Sequence, residues 1–187
     1  MSKIGLIAGN GRFPLYFAES AKRGGNQVVA VAIREEALPE LENLVEQIHW
    51  FSVGELQAMI DTFLKQGIDK VIMAGKITKT RMFNKLKLDA RLIKVFEKLP
   101  IRNDDALLKA LADEFIAEGI DVCDSTTFLS SLLPQKGTLT KREPTSDEWL
   151  DIKYGHEIAK QIAGLDIGQT VVVKNRAILA VEAIEGT

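Results

Sequence analysis

The opening segment, residues 1–33, constrains the fold more than any other part of the chain. Lys3–Ala8 is a short apolar run (Ile4, Leu6, Ile7, Ala8) that reads as a buried strand. Gly9-Asn10-Gly11-Arg12-Phe13 reads as a turn, and Pro14 then stands where a helix favours proline, at its first position. That helix runs to about Arg23 and stops at Gly24-Gly25. Gln27–Ile33 supplies Val28, Val29, Val31 and Ile33, a second buried strand. Strand, glycine turn, helix and strand make one βαβ unit, whose crossover is right-handed in nearly all proteins.

The alternation continues. Residues 48–51 read as a strand, and Ser52 with Glu55 forms a capping box that opens a helix. Leu56, Met59, Ile60, Phe63 and Leu64 make one helical stripe, ended by Gly67. Lys70–Ala74 is a strand followed by Gly75-Lys76. Helices are expected near Ala90–Lys98 and Asp104–Glu118, the second with Leu107, Leu108, Leu111 and Phe115 on one face, and Ile120–Cys123 is a further strand. Strands and helices in this order predict an α/β fold over residues 1–133, a Rossmann-like parallel sheet with flanking helices. The pattern changes after Leu133. Pro134-Gln135-Lys136-Gly137 is a linker, Thr145 and Glu148 form a second capping box, and the helix they open runs to about Ala163. Thr170–Lys174 and Ala177–Glu182, separated by Asn175-Arg176, predict a hairpin. Residues 134–187 are therefore a second, α+β domain. At about 50 residues it is shorter than most units that fold alone, so it is expected to be incomplete and to favour association with another chain, a homodimer in the simplest case.

Composition narrows the function. The 187 residues are 46% hydrophobic and 27% charged, the usage of a soluble globular chain. Lys and Arg number 24 against 26 Asp and Glu, a net charge of -2, which argues against charge-driven nucleic-acid binding. Cys123 is the one cysteine, which excludes an internal disulfide and a multi-cysteine metal site; with only His49 and His156 beside it, structural zinc is excluded too. Cys123 reads as an inert thiol and the histidines as structural or exposed. No apolar run approaches the roughly 20 residues of a membrane span, and Met-Ser-Lys-Ile-Gly runs straight into a strand without a signal peptide. A cytoplasmic protein is expected.

Four segments carry candidate chemistry. Gly9, Asn10 and Gly11 end the first strand, where glycines permit close backbone approach and the following helix N-terminus attracts phosphate. Arg12 could pair with phosphate oxygens there. The segment is not a G-x-G-x-x-G fingerprint, since Pro14 takes the third glycine's place, and a plain strand-to-helix turn explains it equally well. Gly75 and Lys76 end the fourth strand, at the edge where open α/β sheets bind ligands, though a lysine there is more often simply solvated. Asn103-Asp104-Asp105 could hold Mg²⁺, but helix capping accounts for it better. Glu182 follows the apolar Ile178–Val181, where a carboxylate is costly unless paired or metal-bound; an edge strand protected by charge is the competing explanation.

Taken together, Ile4–Pro14, Met73–Lys76, Asn103–Asp105, Leu165–Gln169 and Ala180–Thr187 resemble the LpxI family, in order and over essentially the whole chain. These are UDP-2,3-diacylglucosamine pyrophosphatases of lipid A biosynthesis. The resemblance implies a Rossmann-like N-terminal domain and a C-terminal domain of unusual fold, which in the family continues well beyond the Glu185-Gly186-Thr187 motif. It implies Mg²⁺-dependent attack of water on the α-phosphorus, giving UMP and lipid X, at the inner face of the membrane with peripheral contact there. On that footing Gly9, Asn10, Gly11, Arg12, Gly75, Asp105, Gln169 and Thr187 are the expected substrate contacts. Lys76 and Glu185 are the expected catalytic residues, and Glu182 and Glu185 the expected Mg²⁺ contacts. Leu129, Leu132 and Leu133 could line an acyl-chain cleft or belong to the core. Two other readings compete: a non-catalytic nucleotide or nucleotide-sugar binding module, and a dinucleotide-binding oxidoreductase. The absent third glycine counts against the second of these, as does Ile33 being followed by Arg34 before the first acidic residue, Glu35.

Overall fold

Strand β1 (Lys3–Ala8) is buried at every position after Lys3, as only a central strand covered on both faces can be. The computed structural model describes residues 2–77, 88–99 and 104–183, and for residues 104 and 105 the backbone alone. The chain divides into two compact units, Met1–Leu133 and Pro134–Thr187.

In the first unit β1 leads into α1 (Phe13–Arg23), then β2 (Gln27–Ile33), a 3₁₀ turn (Pro39–Asn43) and β3 (Gln47–Phe51). Helix α2 (Leu56–Lys65), β4 (Lys70–Ala74), α3 (Ala90–Lys98), α4 (Asp104–Ala117) and β5 (Asp121–Cys123) follow. The strands form one parallel sheet in the order β3-β2-β1-β4-β5, with Leu6 opposite Ala30 on one side and Ile72 on the other. The Rossmann-like expectation is met. Side chains alternate between two cores, as the pleat requires. Leu6, Ala8, Val28, Ala30 and Ile72 pack with Phe17, Ala18 and Ala21 of α1. Ile7, Val29, Val31 and Val71 pack with Met59, Ile60 and Phe63 of α2, Leu92 and Val95 of α3 and Phe115 of α4.

The helix starts differ in detail from the sequence reading. Pro14 is the second residue of α1, after Phe13, and Arg12 is the N-cap. The Ser52–Glu55 capping box is only half formed. The Glu55 carboxylate accepts from the Ser52 amide at 2.6 Å, but Glu55 itself is the N-cap and α2 gains no cap from its own side chain. Asp89 supplies it instead. One carboxylate oxygen accepts from the Gln57 amide at 2.7 Å, while the other accepts from the Leu92 amide at 2.8 Å and so caps α3. Arg91, on the first turn of α3, pairs with Glu114 at 2.5 Å and Glu118 at 2.8 Å and also donates to Gln57, joining three helices. Burial opposes its charge, but the hydrogen bonds and charges of the two glutamates outweigh it, and its pKa is raised.

The second unit holds α5 (Ser146–Gly164) and an antiparallel hairpin of β6 (Val171–Lys174) and β7 (Ala177–Val181). The capping box is complete here: Glu148 donates its amide to Thr145 Oγ1, and its carboxylate accepts from the Thr145 amide. Arg142 grips the same carboxylate with two nitrogens at 2.7 and 2.8 Å, and its hydrogen bonds, with those of Thr145, hold Glu148 down to a pKa of about 2. The hairpin turns at Asn175 and Arg176, with φ of 51° and 58°, the two left-handed residues of a tight hairpin turn. The Asp151 carboxylate of α5 accepts both turn amides, at 2.9 and 2.6 Å.

Two outcomes follow. Replacing Asp89 with alanine removes caps from two helices and should cost about 2–3 kcal/mol in urea unfolding, with Asp89→Asn losing roughly half of that. Because the folded pKa of Glu148 is depressed, its contribution is complete above the unfolded value of about 4.5 and is lost as pH falls toward about 2. Hydrogen-exchange protection of the first turn of α5 should therefore drop within that window. In Arg142→Ala the drop should finish at a higher pH.

Candidate functional site

The sheet order reverses between β1 and β4, so their carboxyl ends flank a crevice, the place where open α/β sheets bind ligands. Gly9, Asn10, Gly11 and Arg12 leave β1 there, and Gly75 and Lys76 leave β4 there. The two loops are bonded together. The Gly9 amide donates to the Ala74 carbonyl at 2.8 Å, the Asn10 amide to the Lys76 carbonyl at 2.7 Å, and the Lys76 amide to the Asn10 carbonyl at 2.9 Å. This contact needs glycine on both sides. A Cβ on Gly9 would lie 2.6 Å from the Lys76 carbonyl oxygen, and one on Gly75 2.7 Å from that of Asn10; Gly75 also has a φ of +90°.

Lys76 is exposed, and its backbone is fixed by both bonds to Asn10. The Arg12 guanidinium lies over the Tyr16 ring, 5.4 Å from its centre. Arg12 accepts the Leu15 and Tyr16 amides at its carbonyl, and no side chain caps α1. Among the described residues, the amides of Gly11, Arg12 and Phe13 have no acceptor, which leaves donors and the positive end of the helix at the crevice. The structure thus brings together six of the residues expected at the site: Gly9, Asn10, Gly11, Arg12, Gly75 and Lys76.

Two features were missed in the sequence. One is an apolar pocket of about 270 Å³ on the α2–α4 side of β1, lined by Met59, Leu92, Leu108, Leu111 and Phe115 and reaching Gly9, Gly75 and Lys76. Its walls come from three helices and three strand ends, a combination no local pattern reveals. Leu129, by contrast, is buried core at 1% exposure, and Leu132 and Leu133 are half exposed; none of the three lines this pocket. The other is Glu36, buried beside the glycine turn, whose carbonyl accepts from the Asn10 side-chain amide at 3.2 Å. Its sequence signal is the second of two adjacent acidic residues, Glu35 and Glu36, shortly after the end of β2.

Within the second unit, strand β7 ends at Val181, one residue before the expected Glu182. The Glu182 carboxylate accepts from the Gln169 amide at 3.0 Å, and the Glu182 amide donates to the Thr170 carbonyl at 2.9 Å. Both carboxylate and backbone therefore serve to tie the residues before β6 to those after β7. Among the described residues no group of three or more His, Cys, Asp or Glu side chains could hold a metal ion. Glu185, Thr187 and the side chain of Asp105 lie outside the described residues. No described helix is long and apolar enough to cross a membrane.

Comparison with known proteins places this geometry in a family. The LpxI N-terminal domain matches residues 3–132 and the LpxI C-terminal domain residues 135–187. UDP-2,3-diacylglucosamine pyrophosphatase LpxI of Caulobacter vibrioides is 33% identical over 190 residues, covering 100% of this chain and 67% of that protein. Solved structures are more distant. The Kluyveromyces lactis urea carboxylase covers 64% of this chain and 9% of its own at 15% identity and a TM-score of 0.42. UDP-glucose-4-epimerase of Stenotrophomonas maltophila covers 59% and 33% at 15% identity and a TM-score of 0.36. With both domain models matched in order along its length, the chain belongs to the LpxI family of enzymes.

Proposed function

We propose that this protein hydrolyses the diphosphate of UDP-2,3-diacylglucosamine in lipid A biosynthesis, releasing UMP and lipid X. The observation that carries the reading is the Asn10–Lys76 pairing, which holds a glycine turn with open amides and a lysine at one crevice. Family membership supports the choice of substrate, since the relative from Caulobacter vibrioides bears that activity in its name.

Diphosphate hydrolysis is largely positioning and charge neutralisation. Water bonds to the α-phosphorus and gives up a proton to solvent, the bond from that phosphorus to the bridging oxygen breaks, and the lipid 1-phosphate leaves with the electron pair. The Gly11–Phe13 amides and Arg12 would cradle the diphosphate, and the Lys76 ammonium would meet charge developing on the leaving oxygen. The neighbouring apolar pocket would take an acyl chain, an occupant that suits Leu111 and Phe115 and leaves the charged end of the substrate at Lys76.

Release of UMP by the full-length gene product, followed chromatographically, tests the activity. Lys76→Ala should lower kcat about 100-fold with little change in KM, as expected when a group acts on charge that develops in the transition state. Leu108 is half exposed, so Leu108→Glu should fold while placing a charge against the pocket. It should raise KM for the diacylated substrate about tenfold and leave an acyl-free UDP-glucosamine analogue unaffected. Equal effects on both ligands would remove the acyl chain from this pocket.

A further inference from the structure

We propose that Tyr16 is a positioning residue that holds Arg12 ready for the diphosphate, an inference that rests on the phosphate reading of the glycine turn. The Arg12 guanidinium lies over the Tyr16 ring, 5.4 Å from its centre. The backbone brings the two residues together. Arg12 is the N-cap of α1, and its carbonyl accepts the Leu15 and Tyr16 amides, both at 3.1 Å. Residues four apart on a helix are neighbours on its surface. Tyr16 stands on the solvent side of α1, since Pro14, Phe17, Ala18 and Ala21 take the buried side. At 38% exposure the ring adds little to the core. Among the described residues the Tyr16 hydroxyl has no hydrogen-bond partner, and the contact with Arg12 is the side chain's one polar interaction.

The arrangement suits an arginine kept available for an anion. A ring face attracts a guanidinium through its charge and leaves the N–H groups for other acceptors. Among the described residues Arg12 forms no ion pair, and its guanidinium donates to no oxygen. Arg91 and Arg142 differ, since each is engaged by glutamates of its own unit. Arg12 therefore keeps its charge and its donors in the same turn as the open amides of Gly11–Phe13. An unrestrained arginine samples many rotamers, and fixing it on a ligand costs entropy. The Tyr16 ring lowers that cost by restraining the guanidinium beforehand. A carboxylate partner would restrain it too, but would occupy the donors and offset the charge that a diphosphate needs.

Calorimetric titration of the full chain with UDP tests this in wild type, Tyr16→Leu, Tyr16→Phe, Arg12→Ala and the double variant of Tyr16→Leu with Arg12→Ala. Arg12→Ala should weaken UDP binding about 20-fold, through lost charge-assisted hydrogen bonds. Tyr16→Leu should weaken it about threefold, whereas Tyr16→Phe, which keeps a ring face, should stay within about 1.5-fold of wild type. In the Arg12→Ala background Tyr16→Leu should have no further effect, because the ring then has nothing to hold. A Tyr16→Leu variant that binds UDP like wild type overturns the proposal. So does an equal loss from Tyr16→Leu with and without Arg12, which would set the ring against the nucleotide itself. A Tyr16→Phe variant as weak as Tyr16→Leu also overturns it, by assigning the effect to the hydroxyl. If the wild type fails to bind UDP, or Arg12→Ala binds it unchanged, the phosphate reading falls, and this inference with it. Tyr16 is exposed, so its variants should melt cooperatively; should Tyr16→Leu not do so, Tyr16→Gln must show the same threefold loss.

Discussion

The closed contact between the ends of β1 and β4 is the constraint on which the rest of the first unit depends. Two backbones meet there with Asn10 and Lys76 exchanging both hydrogen bonds, at 2.7 and 2.9 Å. Gly9 and Gly75 make the approach feasible, since a Cβ on either would collide with a carbonyl oxygen of the other loop. The candidate site of the unit is arranged around this point. The open amides before α1, the lysine after β4 and the apolar pocket are all placed by strands whose ends cannot drift apart. Building a site on strand ends rather than on long loops is how α/β sheets achieve precision without rigid side chains.

The helices that wall the pocket are bound to one another more tightly than their short lengths suggest. Helix α3 spans Ala90–Lys98 and would not persist alone. Arg91 connects it to Glu114 of α4, to Glu118 just past the end of α4 and to Gln57 of α2, and Leu92 and Val95 anchor it in the core. A surface ion pair contributes little, but this arginine is mostly buried and its partners are fixed on a helix. The pocket can thus stay apolar and open because its walls are braced from outside, through polar groups that do not line it.

Much of this architecture is legible in the sequence because it rests on local rules. The buried runs at Ile4–Ala8 and Val28–Ile33, the stripe from Leu56 to Phe63 and the Thr145–Glu148 box each specify their element without distant help. The glycine turn and Gly75-Lys76 are legible for the same reason: a strand end followed by glycine locates the crevice. Other features depend on contacts far apart in the chain. Ser52 and Glu55 have the right spacing for a capping box, yet Asp89, 32 positions from Gln57, supplies the cap to α2. The pocket draws on helices whose side chains read individually as ordinary core. Glu36 looks like one of two adjacent surface acids, yet it is buried where the chain wraps tightly around Ile33.

The double role of Asp89 has a kinetic consequence. One carboxylate stands at the N-termini of two helices, and its own amide donates to the Gly54 carbonyl just before α2. Fraying of either helix at that end breaks a hydrogen bond to the residue that also holds the other. Opening of the two first turns is therefore coupled, and loss of one cap should raise the exchange rate of amides in both. Both helices contribute side chains to the apolar pocket, Leu56 and Met59 from one and Leu92 from the other, so the shared cap fixes two of its walls together.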